Sequence, residues 1–302
     1  MIVRPYGHWL RRLFVWHGSV LQAILPQMAF MLLVSLLALR TDARLFGERA
    51  AASFTLVGVT LAVFLGFRNN VSHARYWEAR MLWGQVYTAS RTLLSQVGRY
   101  AGPDAQAERG LFLRHLIAFA YGLNRQLRGT PDATPLPGLR ADEEAALAGK
   151  QFRPMAILDR LRETLARLRA EARIGALEAW SCDNMLVRLS EASGGCERIA
   201  ATPFPYSYGV LLHRTVFAYS MLLPFGLAQT LGAATPFVSL FVAYTLLAME
   251  EISSEIADPF GTSPNDLALD AICRNIERAL LELEGQEPLP EPLSPDSTFI
   301  LR

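Results

Sequence analysis

The sequence predicts an all-α membrane protein: four transmembrane helices with a helical cytosolic domain. Three observations carry this. Four apolar runs are each long enough to approach the thickness of a bilayer. The chain as a whole is 51% hydrophobic and only 19% charged, against about 25% charged for an ordinary soluble domain. Residues 68–208, between the second and third runs, are polar and carry helical apolar spacing.

The first run, Val20–Leu39, has only Gln22, Gln27 and Ser35 as polar interruptions, and the second, Ala50–Phe67, has no charge. Thr215–Leu231 and Ala233–Met249 are separated by a single glycine and predict a tight helical hairpin. A tilted helix needs about 20 residues to cross the hydrocarbon. The alternative for these runs is the buried helices of a soluble bundle. Beyond the second run, residues 71–98 and 108–127 read as helices. Residues 128–153 read as a loop, broken by Gly129, Pro131, Pro135, Pro137 and Gly138. Residues 154–192 return to helix, with Leu158, Leu161, Leu165 and Leu168 on one face. Gly194-Gly195 reads as the end of one helix and the start of the next, and 264–284 as a last helix behind Pro264 and Asn265. The tail from 286 to 302 holds Pro288, Pro290, Pro292 and Pro295, so it reads as extended. The expected organisation is a single domain over 1–302, with spans near 20–39, 50–67, 215–231 and 233–249. Its cytosolic helical part comprises 68–208 and 250–285.

Four spans place both ends of the chain on one side. That side has Arg4, Arg11, Arg12, Arg68, Arg75, Arg80, Arg198 and Arg214; the other has Arg40, Arg44 and Arg49. The excess favours cytoplasmic termini and a multi-pass protein of the cell inner membrane or plasma membrane. The first run is too long for the apolar core of a cleavable leader. A net charge of +1 gives no global field for nucleic acid. Cys182, Cys196 and Cys273 are odd in number and widely spaced, which argues against disulfides or zinc. His8, His17, His73, His115 and His213 have no metal-ligand spacing. Glu250, Glu251 and Glu255 read as a helix end paired with arginines rather than an ion site. No phosphate-binding glycine loop is present. The expectation is therefore no cofactor, no metal centre and no enzyme.

The second run holds the most informative pattern. Gly58, Ala62 and Gly66 recur every four residues, a spacing that lets membrane helices approach closely. Val59, Val63 and Phe67 form the adjacent stripe, and the same phase continues to Asn70 and Ala74. Both stripes could pack against helices of the same chain. In a ring of identical helices, one could instead meet a neighbour while the other faces the axis. The run continues without a turn signal into FRNNVSHARYWEARMLWG, which suits a helix passing from membrane to a wet vestibule. Tyr76, Trp77 and Trp83 also sit where an interfacial aromatic belt would.

That stretch resembles the bestrophin pattern of an Arg/Asn helical turn, an aromatic pair, Glu, Arg and Leu-Trp-Gly. GGCERIAATPFPYSY at 194–208 and MEEISSEIADPFGTSPNDLALD at 249–270 resemble the family's segments before the third span and after the fourth, in the same order. The resemblance implies an ion channel that is pentameric around a central pore, with the lipid bilayer and small monovalent ions as its other partners. It places the apolar neck on Val59, Val63 and Phe67 and a cytosolic constriction at Leu177. It implies chloride-type anions, whereas two valine rings lack the electropositive aromatic edge that faces an anion, so cation passage also stays open. Animal bestrophins follow this last motif with a dense acidic run that binds calcium. Here the matching run is Thr262, Ser263, Pro264, Asn265 and Asp266, too few carboxylates for calcium activation. A membrane-anchored scaffold or sensor with no conductance is the second reading.

Overall fold

The computed structural model describes residues 1–4, 10, 15–16, 18–41, 50–130 and 134–302, with side chains described from 53 onward in the second run. Arg11, Arg12, Arg44, Arg49, His8, His17 and Pro131 lie outside the described residues. Among the described residues the regular structure is helical, apart from one antiparallel bridge between Ile2 and Ile300. The elements are α1 (Leu21–Arg40), α2 (Ala50–Tyr100), α3 (Gln106–Arg128), α4 (Ala141–Leu147), α5 (Arg153–Ala170), α6 (Ala176–Ala201), α7 (Tyr206–Leu231), α8 (Thr235–Ile256) and α9 (Leu269–Leu283). The chain divides into two compact units, one of 5–76 and 203–259, the other of 1–4, 77–202 and 260–302. Helix α2 contributes to both.

The apolar unit is built from α1, the first half of α2, α7 and α8. Its core is Ile24, Met31, Leu61, Leu65, Val216, Ala243, Leu247 and Ala248. Phe30 stacks on Phe217 with ring centroids 5.9 Å apart. Helices α7 and α8 pack as the expected hairpin, joined by a 3-10 turn at Gly232–Ala234 in which Gly232 takes φ 50°, an angle that costs a residue with a Cβ more. Among the described residues three helical stretches are long and apolar enough to cross a membrane: Leu21–Arg40, part of Ser53–Tyr100, and Tyr206–Ile256, which holds the hairpin. Hydroxyls in these stretches bond back one turn, Ser35 to the Met31 carbonyl at 2.8 Å, Thr215 to Leu211 at 2.7 Å and Thr245 to Phe241 at 2.9 Å. These three hydroxyls are thus satisfied without water.

The polar unit packs α3 against α5, α6 and α9, and α5 against α6. Helix α9 buries Leu269, Cys273, Ile276 and Leu280, a stripe at helical spacing. Trp83, Phe112, Phe119 and Leu123 fill the core. Ion pairs run between its elements: Arg109–Glu284 at 3.0 Å, Arg128–Asp270 at 2.8 Å and Arg173–Glu108 at 2.7 Å. The tail has no helix. Its end pairs with the start of the chain, Val3 N–H donating to the Phe299 carbonyl at 2.9 Å and Leu301 N–H to the Met1 carbonyl at 2.8 Å.

Four local expectations are corrected. The 128–153 loop contains α4, whose start is secured by the Glu143 carboxylate accepting the Arg140 N–H at 2.9 Å. The 154–192 helix breaks at Glu171–Gly175, where Ala172 takes φ 57° and Arg173 turns to Glu108. Gly194-Gly195 lies inside α6. It is not a break but a close approach, since a Cβ on Gly195 would meet the Leu82 methyls at 2.9 Å. The last helix starts at Leu269, not 264, because Asp266 closes the preceding turn on the Ser263 N–H at 2.6 Å.

Candidate pore site

Helix α2 presents two opposite faces in its first half. Leu61, Leu65, Arg68 and Ser72 are buried, at the spacing of one helical stripe. Val59, Val63 and Phe67 are 58%, 51% and 62% exposed. Residues two apart on an α-helix lie about 200° apart, so burying one stripe turns the other outward. Asn70 and Ala74 continue the exposed stripe. The outward row therefore runs apolar for two turns and then polar, as the amino-acid order dictates.

The small-residue stripe divides. A Cβ on Gly58 would stand 2.7 Å from the Tyr219 hydroxyl, so α7 approaches α2 closely there. Gly66 has nothing within 4 Å of such an atom, and Ala62 is exposed. Leu177 lies in the first turn of α6 and is 73% exposed, with Trp180 beside it also exposed.

Where the buried stripe of α2 turns polar, it meets a charged cluster. Arg68 Nη1 stands 3.5 Å from Glu250 Oε1, the two side chains being 8% and 12% exposed. His213 Nδ1 lies 3.0 Å from the same oxygen, and the Arg68 guanidinium lies 5.6 Å from the centre of the Phe204 ring. Arg75 Nε donates to the Ala257 carbonyl at 3.1 Å, and Ser253 Oγ to Asn69 Oδ1 at 3.4 Å. The Arg/Asn turn of the second run thus fastens α2 to the end of α8 through side chains that point away from Val63 and Phe67.

The three cysteines are free and buried. Burial pushes the Cys182 thiol up to about 11 and, with Glu197 and Glu78 nearby, the Cys196 thiol up to about 12. They act as small core side chains, not nucleophiles. Among the described residues no group of three His, Cys, Asp or Glu side chains is placed to hold a metal ion.

A sequence profile of the bacterial and fungal bestrophin proteins matches residues 1–282. The chain belongs to the bestrophin family. This bestrophin is 41% identical over 308 residues to the voltage-dependent anion channel-forming protein YneE of Salmonella typhi, with 100% of both chains covered. It is 40% identical over 297 residues to the voltage-dependent anion channel-forming protein RSc3414 of Ralstonia nicotianae, covering 96% of each. Its fold matches the crystal structure of a bacterial bestrophin homologue from Klebsiella pneumoniae with a TM-score of 0.81 at 37% identity, covering 88% of this chain and 100% of that one.

Sequence reasoning named Arg68 and Glu250 separately in this bestrophin but did not join them, and it gave His213 no role. Their separation of 182 residues along the chain hides the pair. The one signal was phase: Arg68 follows Leu61 and Leu65 on the buried stripe, which requires a partner for its charge.

Proposed function

We propose that this bestrophin is an anion channel, with five copies arranged so that each α2 contributes Val59, Val63 and Phe67 to one apolar neck. The observation that carries this is the exposed stripe itself. Three apolar side chains stand outward on α2 while the opposite face does the packing within the chain. A stripe unused by its own chain, yet regular at four-residue spacing, suits an axis lined by identical helices. The anion comes from the names of relatives that match 96% or more of the chain.

On this reading rings of valine impose a dewetting barrier, and Phe67 supplies an electropositive ring edge at the polar end. Ala62 and Gly66 leave room for a neighbouring α2. Leu177 forms a second, cytosolic constriction. Each copy is a single domain crossing the inner or plasma membrane four times, as α1, the first half of α2, α7 and α8, with both ends in the cytoplasm. Arg68, Arg75 and Arg80 after the second span, and Arg198 and Arg214 around the start of α7, support that orientation.

The test is chloride efflux from proteoliposomes. Val63→Ala should raise it several-fold with the oligomer intact, because one barrier ring shrinks. A scaffold that conducts nothing would show no efflux in either protein.

A further inference from the structure

We propose that the polar unit holds a binding site for a small organic oxyanion, and that filling it releases the Pro-rich tail. The site is a cavity of about 480 Å³ between the Arg80–Thr88 stretch of α2 and the outer face of α9. That volume suits a small molecule. A bare halide would leave most of it empty.

Its lining is rich in donors: Arg80, Trp83, Tyr87, Thr88, Asn275 and Arg278, with Glu282 the single carboxylate. Trp83 is fully buried, and its indole N–H is sealed from solvent with no hydrogen-bond partner. A buried donor left unmatched is costly, and native structures rarely keep one without a use. The ring lies in the cavity wall with no exposed surface, so an acceptor reaches the N–H through a side-chain shift on binding. Arg80 makes no ion pair or hydrogen bond among the described residues, although Arg109, Arg128 and Arg173 of the same unit are all paired. Arg80 and Arg278, both lining one space, match the flat acceptor edge of a carboxylate or phosphate ester.

The connection to the tail is Arg278. Its Nη1 donates to the carbonyl of Pro290, so one guanidinium borders the cavity and holds the tail. A charged oxyanion is a stronger acceptor for it than a neutral carbonyl. Ligand and Pro290 therefore compete for Arg278.

The experiment uses the full chain in detergent, titrated calorimetrically with succinate and with glycerol 2-phosphate, followed by hydrogen exchange of residues 287–295. The expected result is saturable binding of at least one probe, the successful one naming the head group. Arg80→Gln, an exposed change, should weaken it about tenfold, and Trp83→Phe should weaken it while keeping the ring. Bound probe should accelerate exchange in 287–295. No binding of either probe, or binding equal in both variants, overturns the site. Binding with unchanged exchange overturns the link to the tail.

Discussion

The two units of this chain solve the same packing problem for different solvents. The polar unit buries Trp83, Phe112 and Phe119 fully in its core, leaves Leu177 and Trp180 of α6 outward, and ties one helix to the next with arginine–carboxylate pairs. The apolar unit does the reverse. Phe237 is 80% exposed and Phe241 71%, and Leu25, Leu33 and Leu37 also stand outward. The charges it buries gather at Arg68 and Glu250, and hydroxyls such as those of Ser35 and Thr245 bond back to their own helices. Water would penalise that outer surface, whereas hydrocarbon does not. Where each unit spends polar groups therefore tells which solvent it was built for.

The sharpest way to break the contrast is to attack the apolar unit at its charged cluster. Arg68→Ala leaves the Glu250 carboxylate buried with a lost partner, and removing one member of a buried pair costs roughly 3–5 kcal/mol. A thermal melt in detergent should show a large fall. Arg68→Met combined with Glu250→Met should recover much of it, because neither charge is then stranded. Next comes a matched pair of cavities. Phe119→Ala in the polar unit should cost about 3–5 kcal/mol. Phe241→Ala should stay within about 0.5 kcal/mol in detergent. Equal losses would erase the distinction between the units.

The smallest effect is a pH dependence confined to the polar unit. His115 is buried, with Nδ1 3.0 Å from the Leu111 carbonyl and Nε2 3.9 Å from Glu143. Burial lowers its pKa, opposed by Glu143 and reinforced by Arg114 and Arg160. The unfolded chain then binds the proton more readily. The stability from this group is complete above about pH 6.5. It falls as pH drops from there toward the lowered folded value. His115→Gln should flatten that part of the melting profile, and an unchanged slope would assign the dependence elsewhere.

These differences also mark what the amino-acid order can reveal. The apolar runs were readable because length and lack of charge suffice, and the hairpin because one glycine separates its arms. The Val59, Val63 and Phe67 stripe was readable as spacing, but its outward direction depends on Leu61 and Leu65 finding α1, α7 and α8. Helix α4 was hidden by the Pro- and Gly-rich approach to a helix of only seven residues. Gly194-Gly195 was misread because a local helix breaker there serves a distant purpose, admitting Leu82. The break at Glu171–Gly175 was hard to see because Glu, Ala and Arg all favour helix and Gly175 is its one local signal, while the Glu108 partner that draws Arg173 aside lies far along the chain. The Arg68–Glu250–His213 cluster is built across the fold, where no local pattern reports it.

The central claim is that the apolar unit encloses an anion path lined by Val59, Val63 and Phe67. Its most direct test is the reversal potential of the purified protein in a planar bilayer under a KCl gradient, recorded for the native chain and for Val63→Ala. The account predicts a reversal near the chloride equilibrium potential, with larger current in the variant. A reversal at the potassium value, or the same current from both proteins, would contradict it.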